Sequence, residues 1–136
     1  MAKRRASLTG SWSGAFRYPD ASYPEIVFSA RIEERDGAFV GETQQPNLER
    51  PWLSASIFTA EIEGVRIGAQ VTFTKFYNSE AQANFAIRYE GEANDALTRI
   101  DGRWINPSWS GTFFMVRDDD GAEAEVEAKA EAPVER

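Results

Sequence analysis

The sequence predicts an all-β domain: eight antiparallel strands that run up and down and close into a barrel. Three observations carry that prediction. Eight segments alternate apolar and polar residues and are separated by turn chemistry. No segment before residue 118 shows a sustained helical period. One five-residue pattern occurs near both ends, as Trp12-Ser13-Gly14-Ala15-Phe16 and as Trp109-Ser110-Gly111-Thr112-Phe113. First and last strands with matching inward residues suit a sheet closed on itself, where those two strands are neighbours.

The first strand is expected at 8–18, ended by Pro19-Asp20. The second, at 25–34, sets Ile26, Phe28, Ala30 and Ile32 on one face. Asp36-Gly37 is a hairpin signal, and the third strand covers 38–43. A loop with Pro46, Asn47, Pro51 and Trp52 follows. The fourth strand is placed at 53–62, with a slip in its alternation near Thr59 that suggests a bulge or a misplaced boundary. Glu63-Gly64 is assigned to the turn after it. The fifth strand, at 69–77, aligns Val71, Phe73, Lys75 and Tyr77. Residues 78–84 form a polar loop with room for a short helical turn. The sixth strand spans 85–91, and Asn94-Asp95 turns the chain into the seventh at 97–105, where Ile100, Gly102 and Trp104 align. Asn106-Pro107 is the last break. The eighth strand, at 109–117, puts Trp109, Gly111, Phe113, Met115 and Arg117 on one face.

Eight strands of this length leave an interior that side chains just fill, or that holds one small ligand. Gly14, Gly41, Gly91, Gly102 and Gly111 lie inside strands. There they permit sharp coiling, or let a bulky neighbour cross the interior.

The net charge of −7 belongs to one end of the chain. Residues 118–136 hold eight acids and two bases, for −6, which leaves −1 on residues 1–117. That tail has only Val126 and Val134 as large apolar residues, too few to order it, so it is expected to be a disordered acidic appendage. Residues 1–7, with Lys3, Arg4 and Arg5, are expected to be a basic, flexible start to a barrel at 8–117. No apolar run follows those basic residues, so the expected location is cytoplasmic. No stretch approaches the ~20 apolar residues of a membrane helix. A nearly neutral domain offers nucleic acid no electrostatic footprint.

The chain has no cysteine and no histidine. Disulfides, thiolate nucleophiles, Ser-His triads, the common zinc sites and His-ligated haem are therefore excluded. Acid–base work falls to Asp, Glu, Lys and Tyr, and no spacing among the acids argues for a glycosidase pair or a metal cage. No catalytic residue, cofactor or metal is expected. Glu33 and Glu42 face outward by parity, as do Arg31, Arg88, Arg99 and Arg103, which lie opposite acids on neighbouring strands.

At Gly10-x-Trp12 the chain resembles the calycin superfamily of lipocalins, fatty-acid-binding proteins and avidins. In that group a basic residue near the end of the last strand packs over the tryptophan, and Arg117 stands at that place. Asp36-Gly37-Ala38-Phe39-Val40-Gly41, Val71-x-Phe73-x-Lys75 and Arg99-Ile100-x-x-x-Trp104 resemble the turn and third, fifth and seventh strands of avidins. The biotin-reading residues do not carry over. The avidin tyrosine falls at Thr43, the serine at Gln45, and an asparagine at Gly14. The chain also resembles small uncharacterised bacterial proteins. They share Phe28-x-Ala30-x-Ile32, Val71-x-Phe73-x-Lys75-x-Tyr77 and the ending Trp-Ser-Gly-x-Phe-x-Met-x-Arg at 109–117. The resemblance implies a barrel and no particular activity.

The expected function is non-enzymatic binding of a small apolar or amphipathic molecule in the barrel mouth. Its expected lining is Trp12, Phe16, Phe73, Lys75, Tyr77, Tyr89, Trp104 and Arg117. Lys75 shares an apolar face, where an ammonium is costly to bury unless paired. It either packs its stem at the mouth with its head in water, or contacts ligand. Tyr18, Tyr77 and Tyr89, near strand ends, either donate to ligand or cap the core. Trp12, Trp104 and Trp109, with Phe16, Phe28, Phe39, Phe73, Phe85 and Phe113, either line a pocket or fill the barrel. Trp52 is placed as a lid over an open end or an interface anchor, or it simply packs over one barrel end.

Two alternatives stand beside this reading. In the first, a filled barrel serves as a structural or interaction module, and outward Val40, Phe76, Ile105, Phe114 and Val116 form an apolar patch for homo-oligomers. In the second, Lys75 and a tyrosine act on a carbonyl substrate.

Overall fold

A computed structural model describes residues 7–48, 56–77 and 86–118. These form eight strands: β1 Gly10–Arg17, β2 Ile26–Arg35, β3 Ala38–Pro46, β4 Ile57–Ile67, β5 Gln70–Tyr77, β6 Ala86–Ala93, β7 Arg99–Ile105 and β8 Ser110–Arg117. Each pairs antiparallel with the next, and β8 returns to β1, so the sheet is a closed barrel. In that closing pair Phe16 faces Phe113 and Trp12 faces Arg117. The repeated motif thus brings its two phenylalanines side by side across the seam. Its tryptophans differ. Trp12 is fully buried, whereas Trp109 precedes β8 and is 39% exposed at the rim, not part of the interior wall.

Alternation puts one side chain in two inside, and the inside is dominated by large rings. Phe73 stacks on Tyr89 at 4.7 Å, and Phe113 meets both edge-on at 6.0 and 5.0 Å. Phe39 closes on Phe73 at 5.9 Å. So many rings fit only because inward glycines stand beside them. A Cβ on Gly64 would lie 2.7 Å from the Phe39 ring, and one on Gly91 3.1 Å from the Phe113 ring.

Gly64 corrects one expectation. Glu63-Gly64 is not a turn; β4 runs through it to Ile67 and reverses at Gly68. Its glycine is demanded by the rings above it rather than by a bend. The slip near Thr59 marks a misplaced boundary rather than a bulge, since β4 begins at Ile57. β4 stays in register with β3 from Pro46↔Ile57 to Ala38↔Val65, with Phe58 inward and Ile57 exposed. The Asp36-Gly37 hairpin is as the sequence implies, with φ of 53° and 88° at the two corner residues. Leu97 belongs to the turn before β7, with φ of 57°, and not to the strand. The tail from residue 119, residues 1–6, Trp52, Phe85 and the 78–84 loop lie outside the described residues.

The two ends of the barrel are unlike. At one end the strands are joined by short turns at 36–37, 68–69 and 94–98. Leu8, fully buried, lies in the core cluster at this end, and the Trp12 indole donates to its carbonyl at 2.9 Å. The Leu8 amide donates to Glu34, whose carboxylate also takes the Arg66 guanidinium at 3.0 Å. Arg117 lies 4.7 Å over the Trp12 ring and donates to the carbonyls of Leu97, Thr9 and Ser7. This end is a floor. At the opposite end the chain passes between strands through 18–25, 47–56, 78–85 and 106–109, and all but the last of these are longer than any turn at the floor.

Gly102 shows how tightly the wall is built: a Cβ there would strike the Glu90 carbonyl and sit 2.5 Å from the Gly91 Cα. Both are backbone, so neither can yield. Gly102→Ala should therefore destabilise the protein by about 3 kcal/mol or more in denaturant unfolding. Gly68→Ala, at a φ of 64° with open space around it, should cost only about 1 kcal/mol. Equal losses at the two sites would contradict this packing.

Candidate functional site

The interior just inside the long-loop end carries the chemistry. Position 75 falls inward on β5 because Val71 and Phe73 share its parity. Its backbone neighbours are Ile62 on β4 and Ile87 on β6. Lys75 is 2% exposed. Its head does not reach water at the mouth, as snorkelling would have it. Nζ donates to Gln45 Oε1 at 2.8 Å and lies 4.9 Å from the Phe16 ring, 5.1 Å from Tyr77, 5.6 Å from Phe28 and 5.8 Å from Tyr89. An acceptor and the negative faces of rings make a buried ammonium tolerable.

Gln45 is the hub of this cluster. Its Oε1 also accepts the Tyr77 hydroxyl at 3.3 Å. Two donors on the oxygen fix the amide orientation and leave Nε2 turned elsewhere. That nitrogen is buried without a hydrogen-bond partner, and so is Thr43 Oγ1. Thr43 and Gln45 are 4% and 2% exposed, two residues apart on the inner face of β3. Thr43 stands between Ala30 and Ala60, two small residues that leave the wall beside it low. Unpaired buried polar atoms are rare and cost about 1–3 kcal/mol each. Two of them beside a buried cation mark a place where the barrel is not optimised for its own stability.

A line of rings leads from this cluster to the surface. Phe16 meets Trp104 at 6.0 Å, Trp104 meets Tyr18 at 5.1 Å, and Tyr18 meets Trp109 at 5.7 Å and Tyr23 at 5.2 Å. The Trp104 indole is anchored by the Arg17 carbonyl at 3.0 Å. Asp20 orders the loop bearing Tyr23, taking the backbone amide and hydroxyl of Ser22. Those hydrogen bonds hold the Asp20 carboxyl below the usual carboxylate range, the backbone one first.

The eight expected lining residues therefore separate. Phe16, Lys75, Tyr77, Tyr89 and Trp104 gather toward the long-loop end. Phe73 pairs with Tyr89 across β5 and β6, its ring stacked on that of Tyr89. Trp12 and Arg117 belong to the floor at the far end, where they hold each other and the chain on either side. Thr43 and Gln45 were not among the eight. Their signal was parity: Phe39, Gly41, Thr43 and Gln45 alternate inward, and the avidin pattern placed its ligand-reading residues on those last two positions.

The outer wall is ordinary by comparison. Arg88 pairs with Glu90 and Arg99 with Asp101 along their own strands rather than across them. The expected apolar patch is dispersed: Val40 lies on β3, Phe76 on β5, and Ile105, Phe114 and Val116 on β7 and β8. The Arg99 guanidinium lies 4.9 Å over Phe114 and covers it in part. Among the described residues no group of three acids stands where it would hold a metal ion.

No protein-family model matches the chain, and no curated protein matches it. Solved structures do resemble it in shape. One is a redesigned β-barrel with a TM-score of 0.63 and 8% identity, over 81% of this chain and 90% of that one. Another is the redesigned β-barrel mFAP1, solved bound to DFHBI, with a TM-score of 0.61 and 9% identity, over 81% of this chain and 94% of that one. At such identities the likeness is one of fold alone.

The unpaired Thr43 hydroxyl makes a simple prediction. Thr43→Val, which keeps the shape and removes the orphan group, should raise stability by about 1 kcal/mol in thermal or denaturant unfolding. A clear loss of stability would mean that the hydroxyl is satisfied in solution.

Proposed function

We propose that this protein is a calycin-like barrel that binds a small apolar or amphipathic molecule, without catalysis, through its long-loop end. The observation that carries the reading is the cluster of Lys75, Gln45 and Thr43 inside an aromatic wall, with two polar atoms left unpaired. A ring-lined space with a few convergent polar groups is the usual form of a small-molecule site. Unpaired donors there are what an orienting contact needs before its ligand arrives. The Gly10-x-Trp12 motif with Arg117 stacked on it supports the calycin-like assignment and the direction of entry, since it builds the floor at the opposite end. The mFAP1 barrel, solved with DFHBI bound, supports the view that a barrel of this shape can hold a small molecule. Binding is preferred to carbonyl chemistry because Lys75 Nζ is already engaged by Gln45 and four rings.

Nile red, a neutral apolar dye, tests the reading. It should bind saturably to the purified protein. Ala60 lies between Thr43 and Tyr77 on the inner wall, so Ala60→Leu adds bulk beside the polar cluster. That change should weaken dye binding about tenfold, a loss of about 1.4 kcal/mol. Val40→Ala, on the outer face, should leave it unchanged. Absence of saturable binding, or equal binding by the Ala60→Leu protein, would support a filled barrel instead.

A further inference from the structure

The chemistry left unsatisfied in the cluster specifies the ligand more narrowly. Gln45 Oε1 has its acceptor capacity taken by Lys75 Nζ and the Tyr77 hydroxyl. Gln45 Nε2 can only donate, and it has no acceptor. The Thr43 hydroxyl, also buried and unpaired, can donate as well as accept. The cluster therefore lacks an acceptor for Gln45 Nε2 and any partner for the Thr43 hydroxyl. A ligand group that completes it brings oxygen lone pairs.

Resting on the binding reading above, we infer that the ligand is a monocarboxylate carried on a flat, aromatic body. Two unpaired donors lie two residues apart on one strand face, roughly 6.6 Å between Cα atoms by the rise of a strand. One carboxylate offers an oxygen to each, and its charge faces the neighbouring ammonium of Lys75. Charge-assisted hydrogen bonds of this kind are shorter and about twice as strong as neutral ones. A cationic head group is disfavoured by the same cluster. Lys75 already holds the faces of Phe16, Phe28, Tyr77 and Tyr89, and a second cation would meet repulsion from its ammonium. The flat body follows from the rings that lead outward from the cluster. The Trp104, Tyr18, Tyr23 and Trp109 rings continue the wall from Phe16 to the surface, and offset or edge-on ring contacts reward an aromatic partner beyond simple area.

The experiment is competition against Nile red with a matched set: 2-naphthoate, 2-naphthylmethanol and 2-naphthylmethylamine. The naphthoate should bind about tenfold or more tightly than the alcohol, and the amine weakest. Gln45→Glu then isolates the cause. It keeps an oxygen for Lys75 and Tyr77, replaces the Nε2 donor by a second oxygen, and adds a negative charge. Folding should survive, as its thermal midpoint will show, while the naphthoate-to-alcohol preference collapses or reverses. Thr43→Val should reduce the same ratio by a smaller factor. Equal binding of acid and alcohol by the wild-type protein overturns this inference but leaves the binding reading intact. So does a preference that survives Gln45→Glu. Failure of Nile red and of all three naphthalenes to bind overturns both.

Discussion

The pairing of β8 with β1 is the constraint on which everything else rests. Closing eight strands on themselves fixes an interior only wide enough for side chains or one small molecule. It also fixes parity around the whole circle, since one residue of slip would turn a strand inside out. Within that space the chain places an unusual number of large rings. The inward glycines answer them directly: Gly64 lies under Phe39 and Phe73, Gly91 beside Phe113, Gly111 beside Trp104. Neither set makes sense without the other, and neither would be needed in an open sheet.

That same closure divides the molecule into a half that is finished and a half that is not. At the floor, each polar group that is buried has an assigned partner. Arg117 stacks on Trp12 and holds carbonyls from both the start of the chain and the Leu97 turn; Glu34 holds Arg66 and the Leu8 amide. Toward the long loops the pattern changes. Lys75 is accommodated by Gln45 and by ring faces, yet Gln45 Nε2 and Thr43 Oγ1 are left over. A chain selected for stability alone would replace them with apolar residues. Their presence beside a buried cation is the physical ground for placing function at this end.

Much of the architecture was legible because barrels advertise themselves in period two. The repeated Trp-Ser-Gly-x-Phe motif pointed to the β1–β8 seam, and Asp36-Gly37 to the first tight hairpin. Gly-x-Trp with a terminal Arg117 pointed to the stacked floor. Misreadings came where one residue type serves two purposes. Gly64 after an acid looks like a turn, and only the rings across the barrel show that it is a gap for them. Lys75 looked like a snorkelling residue because its acceptor lies thirty residues away on another strand. Thr43 and Gln45 were readable by parity but carry no catalytic signature. What distinguishes them is the absence of a partner, a property of the folded interior that no local pattern encodes. The separation of Trp12 and Arg117 from the remaining lining residues likewise depends on which end of each strand meets which loops.

The most direct test of the account follows the side-chain amide of Gln45 by nuclear magnetic resonance in ¹⁵N-labelled protein as small carboxylates are titrated in. The account predicts that the Gln45 Nε2 resonances and the backbone signals of Thr43, Lys75 and Tyr77 move together and saturate. The Trp12 indole and Arg117 Nε signals, at the floor, should stay in place. Saturating shifts confined to the outer wall or the floor, with the Gln45 amide unmoved, would contradict it.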